Sequence, residues 1–301
     1  MTTVLQAIPA VVLLIISVIA SATGTTFRNV FSKSYTRNNA DIYLYLLVCN
    51  IMTAALLVAT STDFSVSWFT LITAVVFGLL VIFCTFANNK GLNCGPMGMF
   101  TMISSFSTAI SALSGVMFFG ETLSWSKVCG MLCMLAMVVV TANFSKSGQK
   151  RIPMMFYVFC GIALLTNSGV GIMQKVHQSS EFKSELDMFL IISFVLSSVV
   201  PIVGYFQEKR HGHAPTIPLS PKHAPFWLCV IGAVCTVIPH RFNLYLSGVL
   251  ESIIFFPIVN GGSLMLVLLS AFVIFKERPT VRQLIGIGLG FLAIFLFSGI
   301  V

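Results

Sequence analysis

Arg241 is the residue whose placement demands the most explanation. With His240 and Asn243 it sits inside an apolar stretch running from about 225 to 247. A guanidinium near the bilayer centre costs at least about 2.5–3.5 kcal/mol on insertion scales, so it needs a cavity or a partner. One reading is a cationic anchor for a carboxylate or phosphate on a substrate, which its planar fork would grip bidentately. The alternatives are an ion pair, with Glu251 the nearest acid along the chain, and snorkelling to the interface. His240 and Asn243 lie three positions apart and share a helix face. His240 is then either a proton relay or a packed, hydrogen-bonded ring.

Other polar groups interrupt apolar runs. Pro257 precedes Asn260, Gly261 and Gly262. Pro removes a backbone donor and glycines loosen a helix. This spacing predicts either a broken helix that exposes backbone groups to a substrate or a plain kink. Ser104, Ser105, Ser107, Thr108, Ser111 and Ser114 crowd one stretch with hydroxyls, as tight helix contacts or a polar cavity would require. Asn88, Asn89 and Lys90 close one apolar run, and Gln174 and Lys175 close another. Asn89, Lys90 and Lys175 are therefore candidate substrate contacts, against snorkelling for the lysines. Asn50 and Asn167 are amides inside apolar runs and are expected to bond between helices. The substrate-binding set is thus Arg241, His240, Asn243, Asn260, Ser104, Asn89, Lys90 and Lys175. No catalytic or metal set is expected.

Stepping outward, the composition names the solvent. The 301 residues are 57% hydrophobic and 9% charged, with a mean hydropathy of +0.97. Soluble domains carry roughly 25% charged residues. The net charge of +8 does not point to nucleic acid, because the Lys and Arg residues lie in turns between apolar runs. The eight cysteines show no paired-ligand or disulfide spacing and read as small buried hydrophobes. The first residues carry no basic run, so the first apolar stretch reads as a retained helix rather than a signal peptide.

Ten stretches have the roughly 20 apolar residues that a spanning helix needs. They cover about 5–27, 41–61, 68–89, 97–119, 126–144, 153–174, 187–206, 225–247, 251–275 and 280–300. The expected fold is all-α, a polytopic membrane protein of ten transmembrane helices, since only helices or closed barrels satisfy the backbone in lipid. Glu121, after the fourth span, and Glu277, after the ninth, lie 156 positions apart, each followed nine residues later by a glycine, Gly130 and Gly286. Ile8-Pro9 and Ile152-Pro153 likewise open the first and sixth spans. The chain therefore divides at 145/146 into two five-helix repeats. Five is odd, so the second repeat must be inverted, an arrangement that permits alternating access.

Setting Arg241 aside, the other 16 of the 17 Lys and Arg residues split 13 to 3 between odd-numbered and even-numbered turns. The positive-inside rule puts the odd turns in the cytoplasm and both termini outside. Glu121 and Glu277 precede the fifth and tenth spans, so they read as acidic groups on helix N-termini, on a scale of about 0.3–1 kcal/mol.

The run Phe119-Gly120-Glu121-Thr122-Leu123 with Gly130 resembles the acidic turn of the drug/metabolite transporter superfamily, EamA type. The second copy, Phe275-Lys276-Glu277-Arg278-Pro279 with Gly286, is similar but has Lys where Gly is usual. The resemblance extends over the whole chain, including a basic residue that closes spans 1 and 6 (Arg28 and Lys175). It implies an integral multi-pass membrane transporter of small metabolites, with a site between the halves. The better-known members are drawn with both termini in the cytoplasm, opposite to the charge count.

No nucleotide-binding loop, catalytic constellation or cofactor motif is present, so an intramembrane enzyme or a non-transporting scaffold is a remote reading. The expectation is a secondary transporter of a small polar solute, anionic or zwitterionic if Arg241 is an anchor. An exporter of amphipathic drugs or aromatic compounds is the alternative. The expected partners are a small-molecule substrate, the lipid bilayer, and a proton or counter-solute for coupling.

Overall fold

The computed structural model describes residues 8–95, 97–141, 153–218, 220–274 and 280–298. The described residues are all-helical. In chain order the helices are α1 (Ala10–Tyr35), α2 (Asn39–Thr60), α3 (Trp68–Cys94), α4 (Met97–Ser105), α5 (Ser107–Phe119), α6 (Trp125–Thr141), α7 (Met154–Gln178), α8 (Leu186–Ser197), α9 (Val199–Arg210), α10 (Ala224–Val249), α11 (Ser252–Ile274) and α12 (Val281–Ser298). α4 with α5, and α8 with α9, each make one span, so the ten predicted spans are all helical. Among the described residues eight are long and apolar enough to cross a membrane, and Trp125–Thr141 and Val281–Phe297 are shorter apolar helices. The protein is an integral multi-pass membrane protein.

The helix starts follow local chemistry. Pro9 and Pro153 sit just before α1 and α7, and their carbonyls accept from Val12 N at 3.0 Å and Phe156 N at 2.9 Å. α2 opens with a reciprocal cap: Asn38 Oδ1 accepts from Asp41 N at 3.0 Å, while Asp41 Oδ2 accepts from Asn38 N at 3.3 Å. Asp41 also accepts from Thr216 N at 2.7 Å, which ties the stretch after α9 to this helix start.

Of the two readings of Pro257 and its glycines, a broken helix or a kink with close helix packing, the helix break is not seen. α11 is continuous through Pro257, Asn260, Gly261 and Gly262. Gly261 instead makes room for the Met134 thioether of α6, so close packing accounts for it. The breaks lie at Phe106 and Ser198. Phe106 N bonds to Ile103 O at 3.2 Å, a tightened turn amid serines whose hydroxyls compete for backbone groups. Beside Ser198, Pro201 supplies no N–H for the preceding turn.

Two compact units form. The first holds Met1–Ile82 and His177–Tyr245; the second holds Phe83–Val176 and Leu246–Val301. Each combines segments from both sides of 145/146, so the compact units are not the sequence repeats. In the first unit, Phe31 stacks on Tyr45 with ring centroids 4.1 Å apart, beside buried Cys49 and Cys229. In the second, Met131, Met134, Met137, Ile253, Met265, Ile287 and Phe297 share one core.

The repeated glycines have a packing reason. α6 and α12 pair antiparallel, with Ser126 Oγ donating to Leu296 O at 2.8 Å. The Phe297 ring lies 2.8 Å from where a Cβ on Gly130 would stand, and the Thr141 methyl occupies the matching place at Gly286. Each glycine near a helix start thus receives a side chain from the other helix's end. Gly130→Val is expected to destabilise the protein by about 1–3 kcal/mol through overpacking, read by unfolding in detergent; no change would remove this account of the motif.

Of the three lysines on even-numbered turns, Lys127 and Lys175 are held in ion pairs. A cysteine introduced at Lys222 is expected to be protected from an impermeant thiol reagent in intact cells, and one at Asp63 to be labelled. The reverse pattern would overturn the orientation.

Candidate functional site

In the first unit, Arg241 is buried at 3% exposure. Its Nε donates to Asp187 Oδ1 at 2.8 Å, and Nη2 donates to Leu57 O at 3.3 Å and Ser61 Oγ at 3.4 Å. The ion-pair alternative therefore holds, with Asp187 as the partner in place of Glu251. Leu57 and Ser61 close α2 and Asp187 opens α8, so the guanidinium of Arg241 meets the ends of two other helices. Asp187 escaped the sequence reading because it sits at the start of a span 54 residues away. His240 meets the Phe194 ring edge-on, centroids 5.0 Å apart. Asn243 Oδ1 accepts from Ser17 Oγ at 2.5 Å. All three neighbouring candidates are thus engaged within the unit.

Near the same helix ends lies a buried histidine that the sequence reading did not single out. The His177 ring sits against Phe189, with Nε2 3.2 Å from Thr70 Oγ1 and Nδ1 3.1 Å from Gln178 Nε2. The amide N–H makes Nδ1 an acceptor, so the ring is neutral and Nε2–H donates to Thr70. Glu185 accepts from Ser67 N at 2.9 Å and Ser67 Oγ at 2.8 Å beside it, capping the start of α3.

In the second unit, Lys175 pairs with Glu121 at 2.8 Å and donates to Leu250 O at 3.1 Å. Both side chains are 8% exposed. Gly120 turns the chain with φ 66°, and Glu121 N returns to Gly115 O at 3.1 Å. This aims the carboxylate at Ser252, whose N and Oγ donate to it at 2.7 and 3.0 Å. Glu121 is a cap, as its position suggests, but it caps α11 and not the span that follows it. Lys127 pairs with Glu251 and donates to Thr122 O at 2.9 Å. Lys175 is thus held in an ion pair within the second unit. Glu277 lies outside the described residues.

The remaining candidates separate. Lys90 is exposed near the end of α3; Asn89 lies in the same helix, but its side chain is outside the described residues. Ser104 is buried, and its Oγ has no hydrogen-bond partner among the described residues. Asn260 is exposed and donates through Nδ2 to Thr108 Oγ1 at 3.1 Å. Asn167 is also exposed, unlike Asn50, which reaches Ser197 Oγ at 3.5 Å as expected of a helix-bridging amide.

Asn167 and Asn260 lie at one depth. Lys175 touches Leu250 O, just before Ser252. Asn167 is 175 − 167 = 8 residues back along α7, and Asn260 is 260 − 252 = 8 residues on along α11. At 1.5 Å per residue both sit ~12 Å below that layer, near the middle of a hydrocarbon core about 30 Å thick. Three helices meet there: Ser111 Oγ donates to Ser168 O at 3.2 Å, and Gly171 leaves room for Ser111 and the Phe256 ring. Thr108 and Asn260 are bonded and Asn167 lies at the same level of the unit, so the three make a neutral polar tier with both amides exposed. Asn167 was legible as an intramembrane amide; what the sequence could not show is that its side chain stays exposed.

The comparisons agree with this architecture. Residues 8–143 match the EamA-like transporter family. None of the curated proteins matches the sequence. Among solved structures, one described only as a crystal structure of a protein aligns with a TM-score of 0.71 at 13% identity, covering 97% of this chain and 96% of its own; at that identity the likeness speaks to the fold alone. Over residues 8–143 the sequence is therefore similar to the EamA-like transporter family, which belongs to the drug/metabolite transporter superfamily.

Proposed function

We propose that the protein is a secondary transporter that moves a small polar solute by alternating access, with Asn260, Asn167 and Thr108 as its solute-binding surface. The observation that carries this is the pair of exposed amides at mid-depth. An amide without hydrogen-bond partners in an apolar medium costs roughly 2–7 kcal/mol. Asn260 uses one N–H on Thr108, which leaves its carbonyl and second N–H to find water or solute. Reciprocal packing at Gly130 and Gly286 supports the inverted-repeat organisation that alternating access uses. With no nucleotide-binding loop in the sequence, a proton, an exchanged solute or the solute's own gradient supplies the energy.

The expectation of an anionic or zwitterionic solute rested on a free Arg241, and Asp187 now holds that guanidinium. On this reading the site lies on α5, α7 and α11 rather than on α10. Proteoliposomes containing the full chain, given a cellular small-molecule extract, should accumulate a solute identifiable by mass spectrometry. Asn260→Ala and Asn167→Ala should each lower the initial rate about 5- to 30-fold, the effect of one or two hydrogen bonds, at unchanged folded yield. Wild-type rates in both would move the site elsewhere.

A further inference from the structure

The polar tier also bears on the charge of the solute. Resting on the site proposed above, we infer that the cargo is an uncharged solute bearing hydroxyl or amide groups. The argument starts from where the charges are. Among the described residues of the second unit, Lys175 and Glu121 hold each other, as do Lys127 and Glu251, all at one layer of helix ends. Lys90 is exposed past the apolar stretch of α3, and Arg282 is exposed in the first turn of α12. Among the described residues of the second unit, the depth of Asn167 and Asn260 therefore has no ionised side chain.

The tier offers donors and acceptors together. Thr108 accepts from Asn260 Nδ2, so its own hydroxyl hydrogen is available to donate. Asn260 keeps a carbonyl and an N–H, and Asn167 adds one carbonyl and one NH₂ group. Ser104, four residues before Thr108 and across the break at Phe106, is a buried hydroxyl without a partner among the described residues. A hydroxyl or carboxamide on a solute both gives and takes hydrogen bonds and matches this mixture. A carboxylate or phosphate only accepts, so it would leave the two carbonyl oxygens facing its charge. It would also enter a low-dielectric layer with no counter-ion, where an unpaired ion is strongly disfavoured. An ammonium has the converse problem with the amide N–H groups.

The test uses the full chain purified in detergent and an extract of the cells that produce it. Cation and anion exchangers divide the extract into uncharged, anionic, and cationic-plus-zwitterionic fractions. Binding to the native state raises the unfolding temperature. The uncharged fraction should raise it in proportion to concentration, and the doubly substituted Asn167→Ala/Asn260→Ala protein should lose that response. If the double variant does not fold, the near-isosteric Asn260→Asp should lose it instead. A shift caused by a charged fraction and abolished in the variant would overturn the uncharged cargo while leaving the site in place. A shift from the uncharged fraction that survives in the variant would overturn the site. No shift from any fraction would count against the inference, because the fractions together span the extract.

Discussion

Arg241→Met should destabilise the protein by about 3–5 kcal/mol, the usual cost of breaking a buried pair from one side. The substitution fills similar space but leaves Asp187 in the first turn of α8 without its guanidinium. It also removes the donor to Ser61 Oγ and one of the donors to Leu57 O, which keeps the Thr60 and Ser61 hydroxyls. Asp187→Leu should be costly for the mirrored reason, since the buried Arg241 would then be uncompensated. The double variant Arg241→Met/Asp187→Leu should recover most of the loss, because replacing a buried pair by apolar groups is often neutral. Arg241→Lys should fall between, keeping the charge but losing the fork that reaches three partners. Unfolding in mild detergent reads all four proteins. Equal stability of Arg241→Met and wild type would mean that the pair contributes nothing to the fold.

Glu121→Ala should have an effect of similar size. It leaves Lys175 buried without a counter-charge, about 3–5 kcal/mol, and removes the acceptor for the α11 N-terminus, about 1 kcal/mol more. Glu121→Gln keeps an acceptor for Ser252 but not the charge, so it should lie between the dipole scale of about 0.3–1 kcal/mol and the full loss. Lys175→Met combined with Glu121→Gln should recover stability relative to Glu121→Gln alone. Transport per folded molecule should persist in each variant that folds. A loss in Glu121→Gln no larger than the dipole scale would show that Lys175 gains little from its partner.

The spans were legible because each is a long apolar run, and the paired glycines were legible as a spacing. Their reason was not, since the Phe297 and Thr141 side chains that enter them come from the far ends of α12 and α6. Pro257 left a broken helix and close helix packing both open, and the Met134 thioether against Gly261 is what favours packing, whereas no signal in the sequence marked the break at Phe106. Arg241 was visible as an anomaly, but its partner lies on another helix, and distance along the chain says little about distance in a bundle. Glu121 was read as a cap from its position, yet the turn at Gly120 carries it to Ser252, a helix start 131 residues away. Asn260 was named from its place beside two glycines; Asn167 gained its role only when helix rotation was known.

The measurement that bears most directly on the central claim is the reactivity of a thiol placed in the tier. In a background whose eight cysteines are replaced, Asn260→Cys should react with a water-soluble methanethiosulfonate reagent, and saturating solute should slow that reaction. The attacking species is the thiolate, which forms only where water reaches the sulfur. A cysteine at Leu165, exposed on the same helix as Asn167, serves as the lipid-facing comparison and should stay unreactive. If Asn260→Cys is as inert as Leu165→Cys, the tier faces lipid and is not the solute-binding surface.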